Sequence, residues 1–219
     1  MSVTGRGLPV RAAGSAATRG VFLLPCALVV GLLGGALTSF GQTILAGGWH
    51  ILVNSASTWV LLAFLVGLCV PGRWRLAALA GLVTEVGLVV GYYTTSELRG
   101  FAADTNSVLI WIAAGLVAGP AYGAAGALLR SARGPVRTAA VGITGSIWLF
   151  EGMWTLWLAA DSNSGPGRIA GWSYIAIGLA LPLLLGRSAG ERLRALPFTV
   201  AGAALALTAG TLVEAAFRA

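Results

Sequence analysis

The chain has 219 residues, of which 57% are hydrophobic and only 10% are charged, and its mean hydropathy is +0.86. A soluble domain of this size does not carry so much apolar surface, so the composition excludes the soluble classes and indicates an integral membrane protein. The net charge of +7 would suggest nucleic-acid binding in a soluble protein. Here the arginines lie between apolar stretches and do not form one basic face. We therefore predict no nucleic-acid partner.

The arginines also predict the orientation of the chain in the membrane. The sequence has no lysine, and most of its 14 basic residues fall in four clusters, Arg6/Arg11/Arg19, Arg73/Arg75, Arg130/Arg133/Arg137 and Arg187/Arg192/Arg194. Arginine beside a membrane span is retained on the cytoplasmic side. We therefore predict a cytoplasmic N-terminus, with all four clusters inside and only Arg99, Arg168 and Arg218 outside.

Seven apolar segments have roughly the length of about 20 residues that a helix needs to cross the hydrocarbon core. In chain order they cover residues 21–40, 51–70, 76–95, 108–129, 138–159, 172–186 and 196–217. The predicted fold is all-α, a polytopic helical membrane bundle of about seven transmembrane helices with the N-terminus inside and the C-terminus outside. Residues 1–20 form a cytoplasmic tail and residues 21–217 a single transmembrane domain. The first apolar run is too long for a cleavable signal peptide, so we expect it to remain as an anchor.

The second segment differs from the others at its start. Asn54, Ser55 and nearby hydroxyl residues make its first turns polar, and its strongly apolar part begins only at Trp59. This pattern predicts a re-entrant or interfacial turn rather than a uniform helix. Together with His50, the polar stretch either roofs an outward-facing cavity or is an ordinary connector with an aromatic residue at each end.

The spans after the first one share an order of features. Spans two and three, four and five, and six and seven each form a hairpin with an arginine-bearing turn and one glutamate in the second helix, at Glu85, Glu151 and Glu214. This order suggests one helix followed by three tandem helical hairpins. The alternative is that any multi-span protein with short inside turns shows the same order.

Small residues recur at intervals of four in several spans: Gly31 and Gly35; Gly115, Gly119 and Gly123; and Gly202, Ala206 and Gly210. Such spacing places them on one helix face, where they let neighbouring backbones approach closely. These faces pack either within the chain or against a partner, which would be a second copy in a homo-oligomer or another subunit.

Two glutamates lie well inside predicted spans, where a charge costs about 2.5–3.5 kcal/mol at the helix centre. Glu85 shares a helix face with Tyr92, and its carboxyl either stays protonated or couples to proton movement. Glu151 has Trp148 and Trp154 three residues to either side, so the carboxylate and the two indoles together suit a cationic or amine-bearing ligand. The competing explanations are a hydrogen bond from Glu151 to a neighbouring helix and an aromatic belt at the membrane surface.

The chain lacks the catalytic or cofactor-binding residues of several enzyme and photoreceptor classes. Without lysine the chain cannot hold retinal as a Schiff base. A serine intramembrane protease needs a serine and a histidine within its spans. The glycine-flanked serine at 142–146 lacks such a histidine, because the single histidine, His50, lies at a span margin. One histidine with Cys26 and Cys69 cannot supply the three or four ligands of a zinc site. We therefore predict no metal, no cofactor and no catalytic residue, and an enzyme is the least favoured class.

Several strings resemble those of a known family: GALTS at 35–39, Asn54 and Ser55 followed by Trp59 and by AFLVG at 63–67, GYY at 91–93, and GPAYGAAG at 119–126. They are similar to an uncharacterised family of actinobacterial multi-pass membrane proteins, defined only as a domain of unknown function. The resemblance implies a protein of the bacterial plasma membrane, in contact with the lipid bilayer. It implies no activity and no binding residue.

Two functions are compatible with these features. The first is binding or transport of a small solute, an ion or a proton at an intramembrane site beneath a polar lid. The candidate site residues are Glu85, Glu151, Trp148, Trp154 and Tyr92, with His50 and Asn54 in the lid. The second function is that of a non-catalytic membrane scaffold or accessory subunit. A large cavity containing both glutamates favours the first, and glutamates buried singly against different helices favour the second.

Overall fold

The computed structural model describes the backbone of residues 11–162 and 164–218 and the side chains of residues 22–160 and 164–218. Eight helices and no strand lie in these ranges. The helices are α1 (Arg11–Ile44), α2 (Trp49–Val53), α3 (Ala56–Leu68), α4 (Trp74–Leu98), α5 (Thr105–Ser131), α6 (Gly134–Ser162), α7 (Gly165–Leu185) and α8 (Ala189–Arg218). The fold is all-helical, as predicted.

Five of the helices in the described ranges are long and apolar enough to cross a membrane, namely Phe22–Ile44 within α1, and α4, α5, α7 and α8. The 29-residue α6 is long enough but less apolar, because its middle carries Glu151 together with glycine, serine and threonine. The 13-residue α3 is apolar but too short to cross alone. These helices give the chain the character of a membrane protein, in agreement with its composition.

The first two predicted segments differ most from the helices that form. The first helix begins at Arg11 rather than at residue 21, so half of the predicted tail is helical, while residues 1–10 lie outside the described residues. The second segment consists of α2 and α3, which are separated at Asn54 and Ser55. The polar residues that suggest an irregular start therefore interrupt a helix.

The helices form two groups that meet along one face. Helices α1, α3, α4 and α5 pack together as the N-terminal group, and α6, α7 and α8 pack together as the C-terminal group. The groups meet where α5 contacts α6 and α8, where α3 contacts α6, and where the short α2 contacts α7. The two helices of each predicted hairpin touch, but the most extensive contacts join α1 with α4, α4 with α5, and α6 with α7 and α8.

Glycine sets the spacing between helices inside both groups. A Cβ on Gly35 of α1 would collide with the backbone of α4, and a Cβ on Gly119 of α5 would lie 2.7 Å from the Gly81 carbonyl oxygen of α4. On α8, a Cβ on Gly202 would lie 2.7 Å from the Cβ of Ser146 on α6. At these positions the small residues pack against helices of the same chain.

Arginine side chains tie several helix ends together at one end of the bundle. Arg137, at the start of α6, is buried and donates to the carbonyls of Leu129 and Leu185, each at 3.1 Å. It also forms an ion pair with Glu191 of α8. Arg130 reaches across to the last turn of α3, where it donates to a backbone carbonyl at 2.8 Å. The ends of α3, α5 and α7 and the starts of α6 and α8 therefore lie together.

Candidate functional site

The interruption between α2 and α3 lies at residues 54 and 55, and it leaves backbone groups of residues 51–57 without the partners that a continuous helix supplies. This segment is the helix break. The Ser55 hydroxyl donates to the Leu52 carbonyl at 3.1 Å and caps α3 by accepting the Thr58 N–H at 3.3 Å. The Thr58 hydroxyl donates to the same carbonyl at 2.6 Å. The hydroxyl groups of Ser55 and Thr58 thus provide hydrogen bonds to some of the backbone groups at the helix break.

Glu151 of α6 supplies further acceptors to the helix break. One carboxylate oxygen accepts the Ala56 N–H at 2.9 Å, and the other accepts the Ser57 N–H at 2.8 Å and also the Ser57 hydroxyl. The first N–H groups of a helix carry the positive end of its dipole, so the start of α3 favours a carboxylate. Glu151 thus caps a helix of the N-terminal group from the C-terminal group.

Tyr174 of α7 supplies a hydrogen bond to the helix break on the side of α2. Its hydroxyl donates to the Ile51 carbonyl at 3.0 Å, and its ring centroid lies 5.9 Å from that of Trp148. Both aromatic side chains are buried. Trp148 therefore supports the side chain that bonds to α2, and the helix break is enclosed by α6 and α7.

The two tryptophans predicted beside Glu151 have different neighbours. Trp148 packs on Tyr174, whereas Trp154 lies beside Trp157 with a distance of 5.2 Å between ring centroids. The carboxylate of Glu151 points to the start of α3. The hydrogen bond to a neighbouring helix, one of the alternatives for Glu151, is therefore present in the structure.

His50 and Asn54, the residues of the predicted lid, lie beside the helix break. His50 belongs to α2, and its carbonyl accepts the Asn54 N–H at 3.3 Å where that helix ends. Both residues are half-buried. Gly48, just before α2, lies so close to α7 that a Cβ there would be 2.8 Å from the Pro166 carbonyl oxygen. This region is therefore packed against α7.

Glu85 lies on α4 in the N-terminal group of helices. It is 3% exposed and packs on the glycine face of α5, where a Cβ on Gly119 would lie 2.9 Å from its Cγ and a Cβ on Gly115 would lie 3.1 Å from its Cβ. Among the described residues its buried Oε1 atom has no hydrogen-bond partner. An unpaired buried polar atom costs about 1–3 kcal/mol, so helix packing alone does not explain a carboxyl here.

A second unpaired polar atom lies in the same group of helices. The indole Nε1 of Trp59 on α3 is buried and lacks a hydrogen-bond partner in the described part of the chain. Its ring packs on Leu88, one turn after Glu85, and lies 5.6 Å from the ring of Tyr92. The hydroxyl of Tyr92 donates to Gln42 of α1 at 2.8 Å. Tyr92 thus contacts Trp59 through its ring and α1 through its hydroxyl.

Comparison with protein-family models gives a match that covers most of the chain. The model of the family of unknown function DUF6518 matches residues 11–216. The chain belongs to DUF6518. The predicted membership of an uncharacterised family is thereby confirmed, and actinobacterial origin stays a prediction. No curated protein and no solved structure shows significant similarity to the chain.

In this DUF6518 chain, Tyr122 of α5 is a polar residue where α5 meets α6. It is buried, and its hydroxyl oxygen is 3.1 Å from the Ser146 Oγ of α6. Both Glu85 and Glu151 are close enough to interact electrostatically with this hydroxyl. Tyr122 is absent from the site predicted from the sequence. The available signal is its position as the one tyrosine in the glycine-rich string at 119–126.

Glu85 is buried and Glu151 is half-buried in this DUF6518 member, and each packs against a different helix. The described residues contain no group of three or more His, Cys, Asp or Glu side chains placed to hold a metal ion. One cavity, of about 560 Å³, lies at the end of α8, and another, of about 430 Å³, lies between the starts of α6 and α8. Neither is lined by Glu85 or Glu151. Glu85 packs against α5, and Glu151 binds α3.

Proposed function

We propose that this DUF6518 protein binds a proton or a small cationic solute at Glu85 within the membrane and transports it. The observation that carries the proposal is the buried, unpaired Oε1 atom of Glu85 in the middle of α4. An ionisable side chain at membrane depth is costly and is a functional-site candidate by default. Hydrogen bonding to a neighbouring helix accounts for Glu151, but within the described residues it does not account for the Oε1 atom of Glu85.

The surroundings of Glu85 favour the smallest ligands. Gly115 and Gly119 bring α5 into contact with its side chain. A proton on the carboxyl fits this arrangement without any movement of a helix. A larger cationic or amine-bearing solute requires α3 or α5 to move away from α4, and Trp59 would then offer an aromatic face to the cation. Proton binding is therefore the first step of the proposed activity.

The helix break is the proposed place of movement. Discontinuous helices line substrate sites in many transporters, where the ends of the half-helices bind charged groups. Here α2 contacts α7, and Glu151 of α6 binds the start of α3. Release of this contact would let α3, which carries Trp59, move relative to the C-terminal group. Glu85 is thus the proposed binding group, and Glu151 is the group that holds α3 in place.

The proposal includes the membrane arrangement predicted from the arginines. α2, the helix break and α3 together cover residues 49–68, and about 20 residues of helix extend about 30 Å, enough for one crossing. With α6 as a further span, the chain crosses seven times, N-terminus inside and C-terminus outside, in the plasma membrane of a bacterium. Arg130 and Arg137 support this arrangement, because their hydrogen bonds gather the arginine-bearing helix ends at one end of the bundle.

Proton uptake by purified protein in liposomes tests the proposal. An internal pH dye should report uptake driven by an applied membrane potential, and Glu85→Gln should reduce that uptake by about ten-fold or more, the effect expected for an essential proton-transfer group. Glu214→Gln is the matched control, because Glu214 pairs with Arg218 near the end of α8.

Thermal stability across a panel of amines, amino acids, vitamins and ions then searches for the solute. A ligand at about 100 times its Kd stabilises the folded protein by about 2.7 kcal/mol. We expect a compound that stabilises the wild type but not Glu85→Gln. The absence of both proton uptake and any such compound would overturn the proposal.

A scaffold or accessory subunit is the second candidate function. It is favoured by the packing of Glu85 and Glu151 against different helices and by the use of the Glu151 carboxylate in capping α3. For a scaffold, Glu85→Gln leaves proton flux and ligand binding unchanged. A scaffold should also co-purify from native membranes with one partner protein at a fixed ratio, which quantitative mass spectrometry measures.

A further inference from the structure

A groove lies at the arginine-rich end of the bundle, between the first turns of α6 and α8. Its volume is about 430 Å³, within the range of roughly 300–1,000 Å³ that is typical of ligand sites. On the side of α8 it is lined by Glu191, Arg194, Pro197 and Phe198. This groove is separate from Glu85 and from the helix break.

The α8 side of the groove changes from polar to apolar along the helix. Glu191 and Arg194 lie in the first turns, and Pro197 and Phe198 follow about one turn further, or about 5 Å along the axis. Phe198 is 43% exposed, and Leu193, the residue before Arg194 on α8, is 66% exposed. Because α8 is a candidate membrane span, we expect these exposed apolar side chains to face lipid. The groove is therefore at the surface that the bilayer covers.

The groove offers positive charge although Glu191 lines it. One oxygen of the Glu191 carboxylate pairs with buried Arg137, and the other accepts the Arg187 N–H at 2.7 Å. Arg194 is exposed, and its Nε–H donates to the Gly190 carbonyl at 2.9 Å, which orients the guanidinium. The ion pairs found among the described side chains do not include Arg194. Its charge is thus available to an anion.

We infer that this groove binds the phosphate group of an anionic membrane lipid, with Arg194 on the phosphate and Pro197 and Phe198 along the start of an acyl chain. A guanidinium donates two parallel hydrogen bonds to phosphate oxygens. Basic pockets between membrane helices on the cytoplasmic side bind anionic lipid headgroups. A lipid accounts for both the charged and the apolar parts of the groove, whereas a free phosphate uses only the charged part.

Native mass spectrometry of the detergent-purified protein tests this inference. The protein is titrated separately with dioleoylphosphatidylglycerol and with dioleoylphosphatidylcholine, and the affinity for the first bound lipid is compared. We expect the anionic lipid to bind about five-fold more tightly, the factor that corresponds to about 1 kcal/mol for one arginine near an anionic surface. Arg194→Gln should remove this preference.

Arg168→Gln is the matched control, because Arg168 is an exposed arginine in the first turn of α7, at the opposite end of the bundle. It should keep the full preference for the anionic lipid. Glycerol phosphate, which has no acyl chains, is added as a competitor to separate a lipid from a free phosphate compound. Equal affinity for both lipids, an unchanged preference in Arg194→Gln, or displacement by an equal concentration of glycerol phosphate would each overturn the inference.

Discussion

The carboxylate of Glu151 accepts the backbone N–H of Ser57 at 2.8 Å, although 94 residues separate the two along the chain. The hydrogen bond joins the two groups of helices at the start of α3. Because α3 begins after a break, its first N–H groups have no partners within the helix, and a buried N–H group without a partner is costly. A substitution of Glu151 should therefore act first on the helix break.

We expect Glu151→Gln to lower the stability of the folded protein by roughly 1.5–3 kcal/mol, the value of hydrogen bonds to a charged group. The amide has the size of the carboxylate but turns one acceptor into a donor that faces N–H groups of α3. Thermal unfolding in detergent micelles measures the loss, and Glu214→Gln is the control. Unfolding of Glu151→Gln at the wild-type temperature would contradict the capping role.

Glu85→Gln should behave in the opposite way and keep the wild-type stability to within about 0.5 kcal/mol. The Oε1 atom of Glu85 has no hydrogen bond to lose among the described residues, and an amide is nearly the same size as the carboxyl. The same unfolding assay compares the two variants directly. A loss as large as that of Glu151→Gln would mean that Glu85 has a structural role.

Gly119→Ala should destabilise the contact between α4 and α5 by about 1–3 kcal/mol, as is typical when a packed interface is overfilled. The new Cβ would lie 2.7 Å from the Gly81 carbonyl oxygen and 2.9 Å from the Cγ of Glu85. Gly165→Ala is a matched control, because nothing lies within 4 Å of a Cβ at that position. Thermal unfolding should separate the two variants, and equal behaviour would refute close packing at Gly119.

Arg137→Gln should cost about 3–5 kcal/mol, because it leaves the Glu191 carboxylate without its buried partner. It also removes the hydrogen bonds to the carbonyls of Leu129 and Leu185 at the ends of α5 and α7. Arg133→Gln, at an exposed position of the same cluster, should change stability by less than about 0.5 kcal/mol. Similar losses in both variants, measured by denaturation in detergent, would show that only the overall charge matters.

The proposed seven spans predict that the C-terminus lies outside the cytoplasm. An alkaline phosphatase fused after Ala219 should therefore be active in a bacterial host, since this enzyme folds only where disulfides form. A fluorescent reporter that folds only in the cytoplasm should be dark at the same position. The reverse result would indicate an even number of spans.

Much of the fold follows from local properties of the sequence. Hydropathy and arginine positions are features of short stretches, and a helix satisfies its own backbone groups, so the membrane class and the positions of the helices are predictable. The polar residues Asn54 and Ser55 likewise mark the place where the second segment is interrupted. The cost of an intramembrane carboxyl identifies Glu85 and Glu151 as unusual positions.

The surroundings of Glu85 and Glu151 were decided only by the tertiary structure. Helical periodicity places Trp148 and Trp154 on the face of Glu151, but its carboxylate binds Ser57 on α3. The contact of the Tyr122 hydroxyl with Ser146 of α6 has no counterpart in any local pattern. The physical reason is that a hydrogen bond between helices depends on which helices pack together and at what spacing. Glycine contacts between distant segments set that spacing, and no property of a single segment contains it.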